Sequence, residues 1–440
     1  MSTVALATRV GRELSAICGA EHVTEAPPER IAGCAPAVAV RPGSADEIAA
    51  ILRFANENSL VVAPAGGGTQ QQAGKPPAQI DILLHTSRLT ETEHYDPGDL
   101  TVGIGAGCTV AHLCHNISQD GLLFAPDPPL WERATIGGLL ATGITGPRRH
   151  GYGALRDYCI GVRFVTGDGR IGKGGGRVVK NVAGYDMMKL LIGSWGTLAV
   201  ITGASFKLFP YPRNSRTFVA CFANASEAMA FRDRVLRSPL DPICLELLSP
   251  EASALLTPGS PAASFWTISV RGAGSDAVLA RYRSELGSAV MHEMEGEKEA
   301  GFWRLVADFP ALAAERDPDS LLVNLSAPLR DVRRVLDVID EVAAANGFTV
   351  AAVGRVGHGN LVVSLSPAVG RQLTKTNYTT VMGRLGEQLP HDASMSVLHC
   401  PAEVRPEIAM LRTPTHFASM NAVKQALDPK NILNRGRFLF

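Results

Sequence analysis

Residues 60–74 read LVVAPAGGGTQQQAG, three consecutive glycines and a threonine directly behind an apolar run. An apolar run closed by glycine is the end of a strand entering a turn, and such turns commonly bind nothing. Three adjacent residues without side chains also let successive backbone N–H groups converge on an anion, with the Thr69 hydroxyl beside them. A diphosphate suits such a nest. No Gly-Lys-Ser/Thr follows the run and no G-x-G-x-x-G lies within it, so neither a P-loop nor a Rossmann turn is spelled here.

Outward from this stretch the pattern is that of an α/β domain. Ser44-Ala-Asp-Glu47 is a capping box ahead of EIAAILRFANEN, whose apolar spacing predicts a helix from about Ala45 to Asn58. The strand-like SLVVAPA, the glycines and a second apolar run, IDILL at 80–84, follow it. A second glycine stretch, ATIGGLLATGITGPRRHGYG, occupies 134–153. Thr135 is placed there as an N-cap, and Gly137 and Gly138 fall in the first helical turn, where orphan N–H groups and the dipole favour phosphate. Two anion sites about 70 residues apart imply one extended diphosphate held from both sides.

DYCIGVRFVTGDGRI predicts a strand turning at Gly167-Asp168-Gly169, and TLAVITGASFKLFPYP a strand broken by prolines, which puts a domain boundary near Pro212. From about Thr217 strands alternate with helices, one of them at 296–306. That texture predicts an antiparallel sheet with helices on one side, in two α+β halves. FASMNAVKQALDPKNILNRGRF predicts an amphipathic helix stopped by Pro429, with a basic tail.

At 440 residues the chain is long enough for about two to three domains. Lys plus Arg equals Asp plus Glu at 42 each, so no bulk field draws the chain onto nucleic acid or an anionic membrane. The eight cysteines are scattered without a C-x-x-C pair, which argues against an iron–sulfur, zinc or disulfide framework and for reduced, mostly buried thiols in a cytoplasmic chain. Charged residues interrupt the N-terminal apolar positions, unlike a signal peptide, and no run approaches the ~20 apolar residues of a transmembrane segment. Any peripheral attachment to the inner membrane is expected through partners.

The pair of stretches P-x-G-G-G-T and A-T-I-G-G-x-x-A-T-G-x-x-G resembles the FAD-binding domain of the vanillyl-alcohol oxidase and p-cresol methylhydroxylase (PCMH-type) flavoproteins. The resemblance runs from about Ala35 to Pro212. Through GPRRHGYGALRDYCIG and GGRVVKNVAGYDMMKLLIGSWGTLAVIT it is closer to the E-type FAD-binding subunits of glycolate oxidase, and DPKNILNRGRF resembles the family's DP-x-x-x-x-N-x-G-R ending. The fold this implies is α+β. A PCMH-type FAD-binding domain of two α/β subdomains at 35–212 is followed by an α+β cap domain with an antiparallel sheet at 213–415. A helical lead at 1–34 precedes them, and a C-terminal helix and tail at 416–440 return to the FAD domain.

The resemblance also implies an FAD site. Pro64, Ala65, Gly66, Gly67, Gly68, Thr69 and Gln70 correspond to the pyrophosphate loop, with Ala65 where most relatives carry Arg. Pro126, Asp127, Thr135, Gly137, Gly138, Ala141, Thr142 and Gly146 correspond to the second FAD-contacting stretch, and Ile201 to a backbone contact. Relatives with covalent flavin place His in the first loop; Thr69 stands there, so noncovalent FAD is expected. Lys180, Asn181 and Asp186 resemble residues near the cofactor pocket, with a structural role equally open. Arg148, Arg149, His150 and Tyr152 fit either a position near the flavin or a solvated basic turn.

Relatives that oxidise 2-hydroxy acids unaided resemble one another in G-H-x-G-D-G-N-x-H, which holds a divalent metal. The corresponding residues here are GRVGHGNLV, with Arg355 and Val362 in the two histidine positions and His358 in that of the Asp. No metal is therefore expected. Arg355 suits a substrate carboxylate and His358 a general base, each with a structural role as the alternative. Trp303 is at core spacing.

The resemblance implies the FAD-binding member of a glycolate oxidase (glycolate dehydrogenase) complex, which converts glycolate to glyoxylate. It would relay electrons or support assembly beside a sister catalytic FAD subunit and an iron–sulfur subunit. Two alternatives stand: a free-standing, metal-free FAD dehydrogenase of a 2-hydroxy acid such as glycolate or lactate, and a non-catalytic flavoprotein scaffold.

Overall fold

The Ser44 hydroxyl accepts the Glu47 N–H at 3.1 Å, and the Glu47 carboxylate receives the Gly43 N–H at 2.7 Å. Two donors at the end of the helix Ala45–Glu57 are satisfied in this way, and the helix starts where the capping box requires. Its buried stripe of Ile48, Ile51, Leu52 and Ala55 lies on a four-stranded sheet ordered Val23–Glu25, Pro36–Val40, Ile80–His85, Val62–Ala65. The last three strands are parallel, which a crossover helix makes possible. The computed structural model describes residues 3–176, 185–411 and 416–439, and the chain divides into two compact units. The first comprises 1–145, 154–211 and 413–440; the second comprises 146–153 and 212–412.

The N-terminal helix Thr3–Cys18 sets Val10 and Leu14 into the same core as Ile48 and Leu52. A second, antiparallel sheet runs Thr92–Asp96, Thr101–Gly105, Ala199–Lys207, Cys159–Thr166, Ile171–Gly175. Its last two strands turn through Gly167-Asp168-Gly169, with Gly169 at φ +81°. The C-terminal helix Phe417–Leu427 also belongs to this unit.

The second unit holds one antiparallel sheet of eight strands. Their order is Val290–Met294, Ser215–Phe222, Trp266–Ala273, Cys244–Leu248, Phe348–Arg355, Asn360–Pro367, Leu321–Ser326, Ser394–His399. Each half, 215–294 and 321–399, follows the β-α-β-β-α-β order of a ferredoxin-like unit, the first with the helix Pro250–Leu256 added between its middle strands, and the two join through Cys244–Leu248 and Phe348–Arg355.

The expectation of helices on one side is corrected. Four helices (Ala225–Arg237, Asp276–Leu286, Val332–Ala345, Lys375–Gln388) cover one face through residues such as Phe218, Leu245, Val270 and Val323. Pro250–Leu256 and Gly296–Arg316 cover the other through Cys244, Leu248, Leu322, Val353 and Val362. Alternate residues of these strands point to opposite faces, and both sets are apolar enough to need a cover. The second of these helices also outruns the predicted 296–306. Phe302, Trp303, Val306, Phe309 and Ala313 continue its buried stripe across Pro310.

The Gly151 N–H donates to Ile243 O at 2.9 Å, which ties 146–153 into the second unit although its sequence follows directly on the second glycine stretch. All eight cysteines are free, and burial pushes the Cys159 thiol up to about 12. Among the described residues no helix is long and apolar enough to cross a membrane.

Candidate functional site

A cleft in the first unit is lined by residues 64–71, by Thr86, by the short helix Ile136–Thr142 with its N-cap Thr135, and by Trp195, Gly196, Ala199, Val200, Ile201, Asn434 and Arg437. It gathers thirteen of the residues expected from sequence: Pro64, Ala65, Gly66, Gly67, Gly68, Thr69, Gln70, Thr135, Gly137, Gly138, Ala141, Thr142 and Ile201. Pro126 and Asp127 are buried outside this lining, and Gly146 falls in the second unit.

The strand Val62–Ala65 delivers the glycines to the floor of the cleft, and their smallness has a definite use. A Cβ on Gly66 would overlap the Thr135 hydroxyl, and one on Gly67 would overlap the carbonyl of Arg133. Gly68 then reverses the chain at φ +73°, a conformation few side chains tolerate. The first loop is thus pressed directly against the second. The amide N–H groups of Gly67, Gly68 and Thr69 meet no acceptor among the described residues, so the loop presents three donors to the cleft. Partly exposed donors on consecutive residues of one glycine turn are an arrangement suited to an anion.

The second loop behaves differently, and the expectation of a second anion site there is corrected. The Ile136 N–H donates to Cys108 O at 2.9 Å, the Gly137 N–H to Ala106 O at 2.8 Å, and the Gly138 N–H to the Thr135 hydroxyl at 3.3 Å. Its first-turn donors are taken by the protein itself. Gly137 is small because Ala106 packs against it, at 2.9 Å from where a Cβ would lie. This loop is a wall of the cleft and a backstop for the first.

Sequence reading misses Gln71, Thr86, Trp195, Gly196, Ala199, Val200, Asn434 and Arg437. The signal for the last two is visible in NRGR at 434–437, whose place in space is not. Asn434 Nδ2 donates to Trp195 O at 2.8 Å, while Arg437 Nη2 donates to Gln71 O at 2.9 Å and Ala73 O at 2.6 Å. A loop with Ala65 in place of the family's arginine therefore still has a guanidinium in its lining, contributed by the far end of the chain.

In the second unit Arg355 and His358 share a tight turn, with the His358 N–H donating to Arg355 O at 2.9 Å, but their side chains meet different neighbours. Arg355 is buried; its Nη1 donates to Asn360 Oδ1 at 2.6 Å, and its Nε lies 3.8 Å from the carboxylate of the fully buried Glu246. Its charge is matched from within the sheet. His358 is exposed, with its Nε2 3.3 Å from His150 O and its ring edge-on to the His150 ring at 5.2 Å.

Burial, followed by the neighbouring His358, holds His150 down to about 4 in spite of Asp241. His150 is neutral near pH 7, an imidazole able to accept a proton. Asp186 caps the helix Met187–Leu191 and pairs with Lys189 at 2.7 Å, a structural role. Lys180 and Asn181 lie outside the described residues. Trp303 is core, with Nε1 donating to Thr217 Oγ1 at 2.7 Å. Among the described residues no three His, Cys, Asp or Glu side chains gather to hold a metal ion.

Comparison with known proteins adds the family. Residues 36–174 match the FAD binding domain family and residues 211–438 the C-terminal domain of FAD linked oxidases. A D-lactate dehydrogenase of Archaeoglobus fulgidus is 31% identical over 424 residues, covering 91% of this chain and 90% of that protein. The glycolate oxidase subunit GlcE of Escherichia coli is 33% identical over 171 residues, 39% of this chain and 45% of that one. In fold, p-cresol methylhydroxylase solved with substrate bound superimposes with a TM-score of 0.74 at 15% identity, over 98% of this chain and 96% of that one. The three amides of residues 67–69 lie within the stretch that matches the FAD binding domain. The chain belongs to the FAD-linked oxidases, is an FAD-dependent oxidoreductase and has the PCMH-type fold.

Proposed function

We propose that this chain is the FAD-carrying member of a glycolate oxidase type complex, in which a sister flavoprotein oxidises the 2-hydroxy acid and an iron–sulfur subunit takes the electrons onward. The observation that carries this reading is the self-matched polar row in the second unit. Where relatives that work alone are expected to keep metal ligands, Arg355 is held by Glu246 and Asn360, and Val362 is buried in the core. A guanidinium neutralised by a buried carboxylate has little left with which to attract a substrate carboxylate.

Residues 66–69 would hold the FAD diphosphate through the Gly67, Gly68 and Thr69 amides. The absence of His from this loop supports noncovalent binding. Bound FAD supplies a two-electron acceptor; the protein's part is to fix it, to wall it with Thr135, Gly137 and Gly138, and to set its surroundings. A cytoplasmic place, with membrane contact through partners, goes with this reading.

The full-length similarity to a D-lactate dehydrogenase supports a second reading, a free-standing dehydrogenase of D-lactate or glycolate. His358 with the neutral His150 would then supply the base, and Arg355 the substrate contact. One experiment separates the two. The purified chain, loaded with FAD, is mixed anaerobically with glycolate or D-lactate and its visible flavin absorption followed. The first reading expects no bleaching until the partner proteins of the complex are added; bleaching of the isolated chain overturns it in favour of the second.

A further inference from the structure

The segment that closes the FAD cleft comes from the other end of the sequence. Residues 432–434 lie along the edge strand Val62–Ala65, with the Val62 N–H donating to Ile432 O and the Asn434 N–H to Val62 O, each at 2.9 Å. Beyond the glycines the same segment takes hold again. Arg437 Nη2 bridges the carbonyls of Gln71 and Ala73, and the Lys75 N–H donates to Arg437 O at 2.7 Å. The nest is therefore fixed by one short peptide on both of its flanks.

That peptide is itself registered by a buried ion pair. Lys424 Nζ and the Asp428 carboxylate meet at 2.6 Å, with exposures of 2% and 0%, in a place where neither charge tolerates the loss of its partner. Lys424 also donates to Thr197 O at 2.6 Å and Leu433 O at 3.2 Å, while Asp428 accepts the Ile432 and Leu433 N–H groups. The pair thus links the cleft-lining segment at 195–201 to the peptide that carries Asn434 and Arg437.

We infer that Arg437 is a positioning residue for FAD: its planar fork, held in register by the Lys424–Asp428 pair, fixes the backbone at 71–73 and so pre-forms the glycine nest. Three donors converge on a diphosphate only if the loop is held before the ligand arrives, and a loop left to fluctuate loses affinity through the cost of ordering it. Arg437 suits this task because one rigid plane serves two sets of acceptors, Nη2 the carbonyls of Gln71 and Ala73 and Nη1 the side-chain oxygens of Gln71 and Asn434 at 3.4 Å, which a single ammonium does not. The inference rests on the assignment of the nest to the FAD diphosphate.

The test uses the full-length chain. Arg437→Ala and Arg437→Lys are compared with wild type for FAD affinity by equilibrium titration, for fold by far-ultraviolet circular dichroism, and for amide hydrogen exchange at 66–75 in the cofactor-free state. Both variants are expected to bind FAD at least about tenfold more weakly and to exchange faster at 71–75, with unchanged circular dichroism. Wild-type affinity in Arg437→Ala overturns the inference. So does full rescue by lysine, which would make Arg437 a simple charge, or weakened binding without faster exchange. Should the variants fail to fold, the wild-type chain decides alone: slow exchange at 71–75 before FAD is added supports the inference, and free exchange overturns it. A wild-type chain that takes up no FAD overturns the assignment of the nest instead, so the two failures are distinct.

Discussion

The two units differ in what their cleft and interior polar groups face. The first leaves three backbone donors of residues 67–69 facing its cleft, beside an interior Lys424–Asp428 pair, while in the second the interior charges answer one another: Arg271 with Glu299 at 3.1 Å and Arg355 with Glu246 and Asn360. A donor without an internal partner is an invitation to a ligand, whereas a matched pair holds a structure together. Capacity to bind in this chain is therefore concentrated in the first unit, while the polar interior of the second is given over to its own architecture.

Four perturbations put this contrast to the test. The largest effect is expected from Glu299→Ala, which strands Arg271 and removes the acceptor of the Ser215 and Thr217 hydroxyls. Stability of the second unit should fall by about 3–5 kcal/mol, read by urea unfolding, while FAD affinity of the folded chain stays as it was. Loss of FAD affinity would mean that the two units are not independent in this respect. Next comes Gly67→Ala, whose methyl group must displace the Arg133 carbonyl. FAD titration should show a loss of about 100-fold, or roughly 2.7 kcal/mol, and wild-type binding would refute the nest.

The third perturbation is acid. His150 is held at about 4 when folded against an ordinary 6.5, so the unfolded chain takes up its proton first as pH falls. The stability tied to its neutral form is fully present above pH 6.5 and is lost between there and about pH 4. Partial exposure limits the loss to the order of 2 kcal/mol. His150→Gln should flatten denaturation curves across this window, and an unchanged pH slope would remove His150 from the account. The smallest effect belongs to Gly138→Ala, where the nearest atom to the new methyl group is the Thr135 hydroxyl at 3.2 Å. Helix propensity gained offsets this crowding, so stability should stay within about 0.5 kcal/mol and FAD affinity near wild type. A large loss would restore the second loop as a direct cofactor contact.

What can be read from sequence is local. The Ser44 cap, the Ala45–Glu57 helix and the turn at Gly167–Gly169 depend on neighbours a few residues away, and they stand as expected. The donors of the first glycine loop are legible because they lie on consecutive residues. The second misleads because its acceptors, Ala106 and Cys108, sit about thirty residues upstream, where no spacing rule announces them. Helices on both faces of the large sheet escape notice for a related reason: Gly296–Arg316 looks interrupted at Pro310, although its buried stripe continues. Arg355 is legible as a charge in place of a ligand, but Glu246 reaches it only through strand pairing more than a hundred residues apart in sequence.

The bond between Arg437 and Gln71 spans 366 residues, and this separation has a bearing on how the protein is made. At about 5–20 residues per second on the ribosome, the glycine loop emerges roughly 20–70 s before the residue that braces it. Through that interval the loop lacks the carbonyl contacts that Arg437 makes at Gln71 and Ala73. The brace inferred for Arg437 thus makes a local-looking turn depend on sequence that is translated long after it.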